Sequence, residues 1–340
     1  MATICIYGAG SVGCYIGGRL LASGSEVCFV GRPRIGDELR EHGLTLSHYQ
    51  GGHWQVPPEA IAFSTEAVAA TEADLVLVTV KSADTAAAAA RLAGLLRPGA
   101  VVVSFQNGLS NAAILRAVLP HQIVLEGIVP FNVVARGPGA FHQASDGRLE
   151  VKAAFELKPF LAAFDEAGLP LTRQLEIVPV QWAKLLFNLN NAINALANLP
   201  LKEELSQRAY RRCLALAQAE ALALLRRAGI RPARLTPLPA SMIPVALHLP
   251  DALFSRLGRK LLAIDPLARS SMSDDLAARR KTEVDWINGE VLRLAETLGR
   301  KAPVNACLCG LVHAAEQAAE RPRWSGAALL TELRKAATPS

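Results

Sequence analysis

Thr3-Ile4-Cys5-Ile6-Tyr7-Gly8-Ala9-Gly10-Ser11-Val12-Gly13 is the stretch whose reading decides the fold. Its first five residues are an apolar run rich in β-branched and aromatic side chains, the pattern of a buried strand. Glycines follow at 8, 10 and 13, and Val12 to Ala22 then takes a helical pattern. In a strand–turn–helix each glycine has its own task. Gly8 permits the tight turn, Gly10 lets the backbone approach a pyrophosphate, and Gly13 allows close helix–strand packing. The helix N-terminus faces the phosphate charge. Ala9, Ser11 and Val12 complete this dinucleotide-binding loop, while Gly17 and Gly18 read as packing glycines.

Outward from the loop, the first half alternates β-rich runs with helical segments. Glu26 to Val30 is a second strand, Leu75 to Val80 a continuous apolar strand, and Val101 to Phe105 another. Ala83 to Leu96 reads as a helix ended by Pro98-Gly99. This alternation predicts an α/β fold, a Rossmann-type doubly wound parallel sheet. From Gly127 to Ala153 the pattern turns to β-runs separated by Gly137-Pro138-Gly139 and Asp146-Gly147, read as antiparallel hairpins closing the sheet edge. The second half has almost no strand signal. Helices are expected at about 179–198, 203–228, 274–298 and 304–319, with a proline-rich connection near 232–250. The expected domains are residues 1–178, binding the nucleotide, and an all-helical 179–340 carrying substrate and catalysis.

Composition narrows the function classes. At 340 residues, 51% hydrophobic and 19% charged, the chain suits two globular domains rather than a disordered protein. The net charge of +6 is scattered, with short clusters such as Arg211-Arg212 and Arg279-Arg280-Lys281 and few aromatics among them. That argues for solvated helix faces and against nucleic acid. The six cysteines lack zinc-ribbon spacing, and Cys307-x-Cys309 reads as helix packing, so no metal is expected. A strand beginning by Ile4 leaves no room for a signal peptide, and Leu235 to Pro250 is interrupted by Pro237, Pro239 and Pro244. A cytoplasmic protein with no membrane span is expected, and its apolar helical half is compatible with a homodimer.

The end of the second strand bears on the cofactor. NAD sites usually place Asp or Glu there, but here Val30-Gly31-Arg32 has no acid until Asp37. Arg32 suits a 2′-phosphate through charge-assisted hydrogen bonds, which points to NADP(H); the alternative is a surface arginine in a Gly-Arg-Pro turn. Lys81 follows the 75–80 strand, and Gln106-Asn107-Gly108 follows the 101–105 strand. Both therefore fall where open α/β sheets bind ligands, outside the carboxyl ends of their strands. Lys81 as a solvated cap and Asn107 as turn chemistry remain open alternatives.

In the second half, Trp182 to Leu199 is mostly apolar around its circumference yet carries Lys184, Asn188, Asn190, Asn191, Asn194 and Asn198. At about 100° per residue, Lys184, Asn188 and Asn191 form one stripe and Asn190, Asn194 and Asn198 a second. Site lining competes with interhelical hydrogen bonding for the asparagines, and with snorkelling for Lys184. Downstream, Ser271 with Asp274 fits a helix cap, and Glu283 fits an exposed partner of Arg279 or Arg280. Spacing alone decides neither.

Taken together, Gly8-x-Gly10-x-x-Gly13, Val80-Lys81, Gln106-Asn107-Gly108 and Trp182-x-Lys184-Leu185-x-x-Asn188 form a specific set. Thr282-Glu283-x-Asp285-x-Ile287-Asn288-Gly289 and Pro303-x-Asn305 extend it. Over nearly its whole length the chain resembles the ketopantoate reductase (2-dehydropantoate 2-reductase) family. The resemblance implies NADPH-dependent reduction of ketopantoate to pantoate for pantothenate synthesis, with Lys184 as proton donor and Glu283 supporting the site. It implies that Asn107, Asn188 and Ser271 contact substrate or cofactor, and that Arg32 and Lys81 approach the NADPH phosphate. One departure stands out: where the family often has a second asparagine eight residues after the lysine, this chain has Ala192. Asn191 and Asn194 are the candidates to replace it. The competing expectations are a reductase of another small 2-keto acid and a non-catalytic NADPH-binding sensor, which would need the glycine loop and Arg32 but not the Lys184/Glu283 pair.

Overall fold

The computed structural model describes residues 3–257 and 268–338. The chain forms two compact units, Met1–Ile177 and Val178–Ser340. In the first, the strands are β1 (Ile4–Tyr7), β2 (Val27–Val30), β3 (Leu44–His48), β4 (His53–Val56), β5 (Ala62–Ser64) and β6 (Leu75–Val78). They continue as β7 (Val101–Ser104), β8 (Ile123–Ile128), β9 (Val133–Ala135), β10 (Ala140–Gln143), β11 (Glu150–Lys152) and β12 (Thr172–Gln174). The α-helices are α1 (Ser11–Ala22), α2 (Pro33–His42), α3 (Thr85–Leu92), α4 (Asn111–Val118) and α5 (Leu161–Glu166).

The main sheet has the order β12-β11-β8-β7-β6-β1-β2-β5. Every neighbouring pair from β5 through β8 is parallel, as the alternation predicts. From β1 the chain steps to β2 and β5, then crosses to β6 on the other side of β1. The winding direction therefore reverses between β1 and β6, the place where such sheets bind ligands. Side chains alternate between two cores. Ile4 and Ile6 pack with Tyr15, Ile16 and Leu20 of α1, while Cys5 and Tyr7 join Leu92 and Leu115 on the opposite face.

Two expectations for this half change. The helix expected to Leu96 ends at Leu92, because Gly94 takes a left-handed φ of +75°. The hairpins expected to close the main sheet divide between two sheets. β11 does extend it, antiparallel to β8, with β12 added outside as the edge strand. β9 and β10 pair instead with each other, and β10 with β3, in a separate sheet of order β4-β3-β10-β9. The β3–β4 hairpin, whose pattern was not read from the sequence, supplies the edge they join.

The second unit is helical throughout its described residues: α6 (Val178–Asn188), α7 (Asn190–Ala197), α8 (Leu201–Ser206), α9 (Arg208–Arg227), α10 (Ile243–Leu247) and α11 (Asp251–Leu257). α12 (Ser271–Ala277), α13 (Val284–Thr297), α14 (Pro303–Gln317) and α15 (Gly326–Ala337) complete it. Three helices expected to be continuous are split. Leu189 separates α6 from α7 as a single turn residue, and Gln207, extended at φ −94° and ψ 118°, separates α8 from α9. Arg279, left-handed at φ 51°, stops α12 well before α13. α15, missed by the pattern reading, is capped by Ser325, whose side chain accepts from Ala328 N. Among the described residues no helix is long and apolar enough to cross a membrane.

Candidate active site

The glycine loop follows β1, and its geometry separates the three glycines. A Cβ on Gly8 would lie 2.5 Å from Val80 N, and one on Gly13 would lie 2.4 Å from Gly8 O. Both glycines are therefore required by the protein's own backbone. A Cβ on Gly10 would meet nothing within 4 Å. Its side chain would project into open space at the N-terminus of α1, where a pyrophosphate has room. The loop is tied down by Gly8 N and Ala9 N donating to Val30 O at 2.9 and 3.0 Å, and by Thr79 Oγ1 donating to Gly8 O at 2.7 Å. Gly10 caps α1 with no side chain over the helix end and no acid in the first turn, leaving the Ser11 and Val12 N–H groups directed outward. These residues fit a dinucleotide phosphate.

Arg32 follows β2 as the exposed N-cap of α2. The next acid along the chain, Asp37, is engaged by Arg40 at 2.7 Å. Lys81 leaves β6 as the N-cap of a short 3-10 turn, and Asn107 leaves β7; both are half-buried. Beneath them lies a network of buried polar side chains that the sequence reading did not find. Gln106 Nε2 donates to Val80 O (3.1 Å) and to Thr85 Oγ1 (2.7 Å). Thr85 Oγ1 donates to Asn111 Oδ1 (2.7 Å), and Asn111 Nδ2 to Asn107 O (2.6 Å). Ser82 Oγ donates to the same carbonyl at 2.8 Å. The loops bearing Lys81 and Asn107 are thus braced against each other. Only Gln106 and Asn107 had carried a signal in the sequence, since Thr85 and Asn111 look like ordinary helix starts.

In the helical unit, Lys184 is half-buried on α6. Burial pushes its ammonium down to about 8, and the nearby Glu283 carboxylate acts in the opposite direction. Glu283, only 7% exposed, is the N-cap of α13. It is not a surface partner of the neighbouring arginines: Arg280 pairs with Asp275 at 3.2 Å, and Arg279 donates to Ala319 O at 3.0 Å.

The two polar stripes take different roles. Asn188 and Asn191 remain half-buried, on the stripe with Lys184. The other stripe points into the protein. Asn190 Nδ2 and Asn194 Nδ2 donate to Glu204 Oε2 at 3.1 and 2.9 Å, while Asn198 Oδ1 accepts from Arg269 at 3.0 Å. Asn194 is wholly buried, and its Oδ1 accepts from Ser270 N at 2.9 Å. With both ends of its carboxamide engaged inside the protein, Asn194 leaves the set of expected substrate contacts. Ala192 is also wholly buried. The cap of α12 is Ser270, whose Oγ accepts from Ser273 N at 3.1 Å; Ser271 is the next residue, exposed and not the cap. Asn288 and Asn305 prove structural: Asn288 donates to Asn305 at 3.1 Å and Asn305 to Glu220 at 2.8 Å, tying α13 and α14 to α9.

Known proteins share the sequence pattern and the fold of this chain. Residues 4–154 match the family described as ketopantoate reductase PanE/ApbA, and residues 176–316 match its C-terminal counterpart. A 2-dehydropantoate 2-reductase of Halobacterium salinarum is 29% identical, covering 92% of this chain and 99% of its own. The crystal structure of a PanE/ApbA family ketopantoate reductase from Ralstonia eutropha JMP134 is 30% identical, with a TM-score of 0.79 and coverage of 92% of this chain and 98% of that one. A ternary structure of D-mandelate dehydrogenase with NADH and anilino(oxo)acetate has the same fold at 20% identity, with a TM-score of 0.74 and coverage of 92% and 98%. With both halves matched and the fold shared over 92% of its length, the chain belongs to the ketopantoate reductase PanE/ApbA family of NAD(P)-dependent oxidoreductases.

Proposed function

We propose that the chain reduces ketopantoate to pantoate with NADPH, and that Lys184 is the proton donor. The observation that carries this reading is the placement of Lys184 on α6 with the buried Glu283 carboxylate close by, where burial draws the ammonium down to about 8. A donor with a value near neutrality is charged at pH 7 yet gives up its proton far more readily than a surface lysine. When bound, the reduced nicotinamide supplies the hydride to the C2 carbonyl. Lys184 protonates the alkoxide that develops there, and Glu283 orients the ammonium. Asn188, Asn191 and Ser271 hold the carboxylate and hydroxyl groups of the substrate.

On the nucleotide side, Gly8, Ala9, Gly10, Ser11, Val12 and Gly13 receive the pyrophosphate, and Asn107 lines the crevice. Arg32 and Lys81 supply positive charge for the phosphates. The exposed Arg32 and the pairing of Asp37 with Arg40 favour NADPH over NADH.

A second reading, reduction of a different 2-keto acid, is favoured by the buried Ala192 and the internally engaged Asn194. They leave one fewer asparagine for the substrate than the resemblance implied. NADPH oxidation measured with ketopantoate beside a panel of 2-keto acids decides between the two. Oxidation that is fastest with ketopantoate supports the first reading, and a clear preference for another acid supports the second. No oxidation with any of them would sink both.

A further inference from the structure

The segment leading to Ser271 is stitched to α7, α8 and the turn between them, residue by residue. Leu201 N donates to Ala268 O at 2.8 Å, Arg269 Nη1 to Asn198 Oδ1 at 3.0 Å, and Ser270 N to Asn194 Oδ1 at 2.9 Å. Ser270 Oγ adds a bond to Asn191 O at 3.2 Å. Asn194 is central to this seam. Its Nδ2 donates to Leu199 O at 3.0 Å and to Glu204 Oε2 at 2.9 Å, and Asn194 and Glu204 are both 0% exposed.

A carboxamide has one donor end and one acceptor end. With two acceptors on its nitrogen, the Asn194 oxygen has to face Ser270. Glu204 Oε2 also takes Asn190 Nδ2 at 3.1 Å, so one carboxyl oxygen orients two asparagines a helical turn apart. Burying a carboxyl is costly, and burial pushes this one up to about 8. An apolar residue would fill the same place without that cost, but would remove one of the two acceptors that hold the Asn194 carboxamide and the one acceptor it shares with Asn190.

We infer that Glu204 and Asn194 are positioning residues of the keto-acid pocket, holding residues 268–270 so that Ser271 is presented at a set distance from Asn191. The inference rests on the reading above, in which Ser271 and Asn191 touch the substrate; Glu204 and Asn194 touch neither substrate nor cofactor.

The test compares Glu204→Gln, which keeps an oxygen acceptor, with Glu204→Met, which fills similar volume without one. Two readouts are taken on the full chain: amide hydrogen exchange over residues 268–274, and KM for the keto acid beside KM for NADPH. Glu204→Gln is expected to behave as wild type in both. Glu204→Met is expected to exchange faster over 268–274 and to raise the keto-acid KM roughly tenfold, the scale of one lost hydrogen bond, with the NADPH KM unchanged. A folded Glu204→Met with wild-type exchange over 268–274 overturns the inference, as does an equal rise in both KM values. Asn194→Ser, which shortens the bridge, carries the same comparison if Glu204→Met does not fold. A wild-type protein that reduces no keto acid defeats the substrate reading alone, and the exchange comparison then decides whether Glu204 holds the segment.

Discussion

In the proposed reaction the chemistry concentrates at Lys184, and its perturbed value makes a prediction with a definite sign. If Lys184 donates the proton, its ammonium is the reactive form, so kcat is expected to be level below pH 8 and to fall as pH rises through about 8. A rate that stays flat to pH 10 would remove Lys184 as the donor. Lys184→Ala is expected to lose roughly 10²–10⁴ in kcat with NADPH affinity nearly intact, read by steady-state kinetics and fluorescence titration. Arg32 makes a separate prediction. Arg32→Ala removes a charged partner for the 2′-phosphate, at about 1.5–3 kcal/mol. NADPH affinity should therefore drop by roughly 10- to 100-fold while NADH affinity stays the same; equal losses for the two cofactors would make Arg32 a surface residue. Both residues were visible in the sequence because their positions, after a strand or on a greasy helix, were unusual for their charge. Glu204 was not visible. In Lys202-Glu203-Glu204 it looks like an ordinary acid in the first turn of a helix, and only the fold buries it.

At the scale of elements, the strand–loop–helix at β1 and α1 predicts that its glycines fail in different ways. Gly13→Ala places a methyl against Gly8 O and Thr79 Oγ1, so it should lower the melting temperature and cofactor affinity together. Gly10→Ala meets open space, so it should melt as wild type and lose NADPH affinity alone. Equal melting temperatures for both variants would contradict this division. The α7–α8 pair makes a prediction about pH. The Glu204 carboxyl lies at about 8 in the folded chain against an ordinary value of 4.5, so the native state keeps a proton that the unfolded state releases. The stability this proton confers is complete below about 4.5 and is lost as pH rises towards 8. Glu204→Gln should flatten the dependence of Tm on pH across that window, and an unchanged slope would show that the carboxyl does not titrate there. Element boundaries were the part least legible in advance. Gly94, Gln207 and Arg279 end or split helices through their own backbone dihedrals, and no apolar periodicity records such a local choice.

Across the whole molecule, two kinds of core are at work. The first unit buries apolar side chains on both faces of one sheet, and to the apolar contacts between its helices the second adds buried polar anchors. Arg211 is the largest of these and is wholly buried. It donates to Leu205 O and Ser206 O at 2.9 Å and to Leu249 O at 2.7 Å, and its guanidinium lies 4.1 Å from the Phe254 ring centroid. Arg211→Met should lower stability by about 2–4 kcal/mol, since three carbonyls and the Asp251 carboxylate lose their donor. A chemical denaturation curve measures this, and a loss under about 0.5 kcal/mol, the range of ordinary surface changes, would contradict it.

By itself the sequence determined the dinucleotide loop, the parallel sheet and the helical second half. Strand periodicity, glycine spacing and strand-ending positions are local properties, and a local pattern suffices to specify them. It also marked Lys184 and Glu283, although more by the company of their motifs than by spacing. Only the tertiary structure decided which polar residues face inward. Asn188 and Asn194 are the same residue type on what reads as a single helix, yet one remains half-exposed beside Lys184 and the other is enclosed with Glu204 and Ser270. A carboxamide's role depends on the partners that surround it, and here those partners come from segments 10 and 76 residues away. The same holds for Gly10: its spacing is legible in the chain, but that a side chain there would meet no protein atom is a property of the folded loop alone.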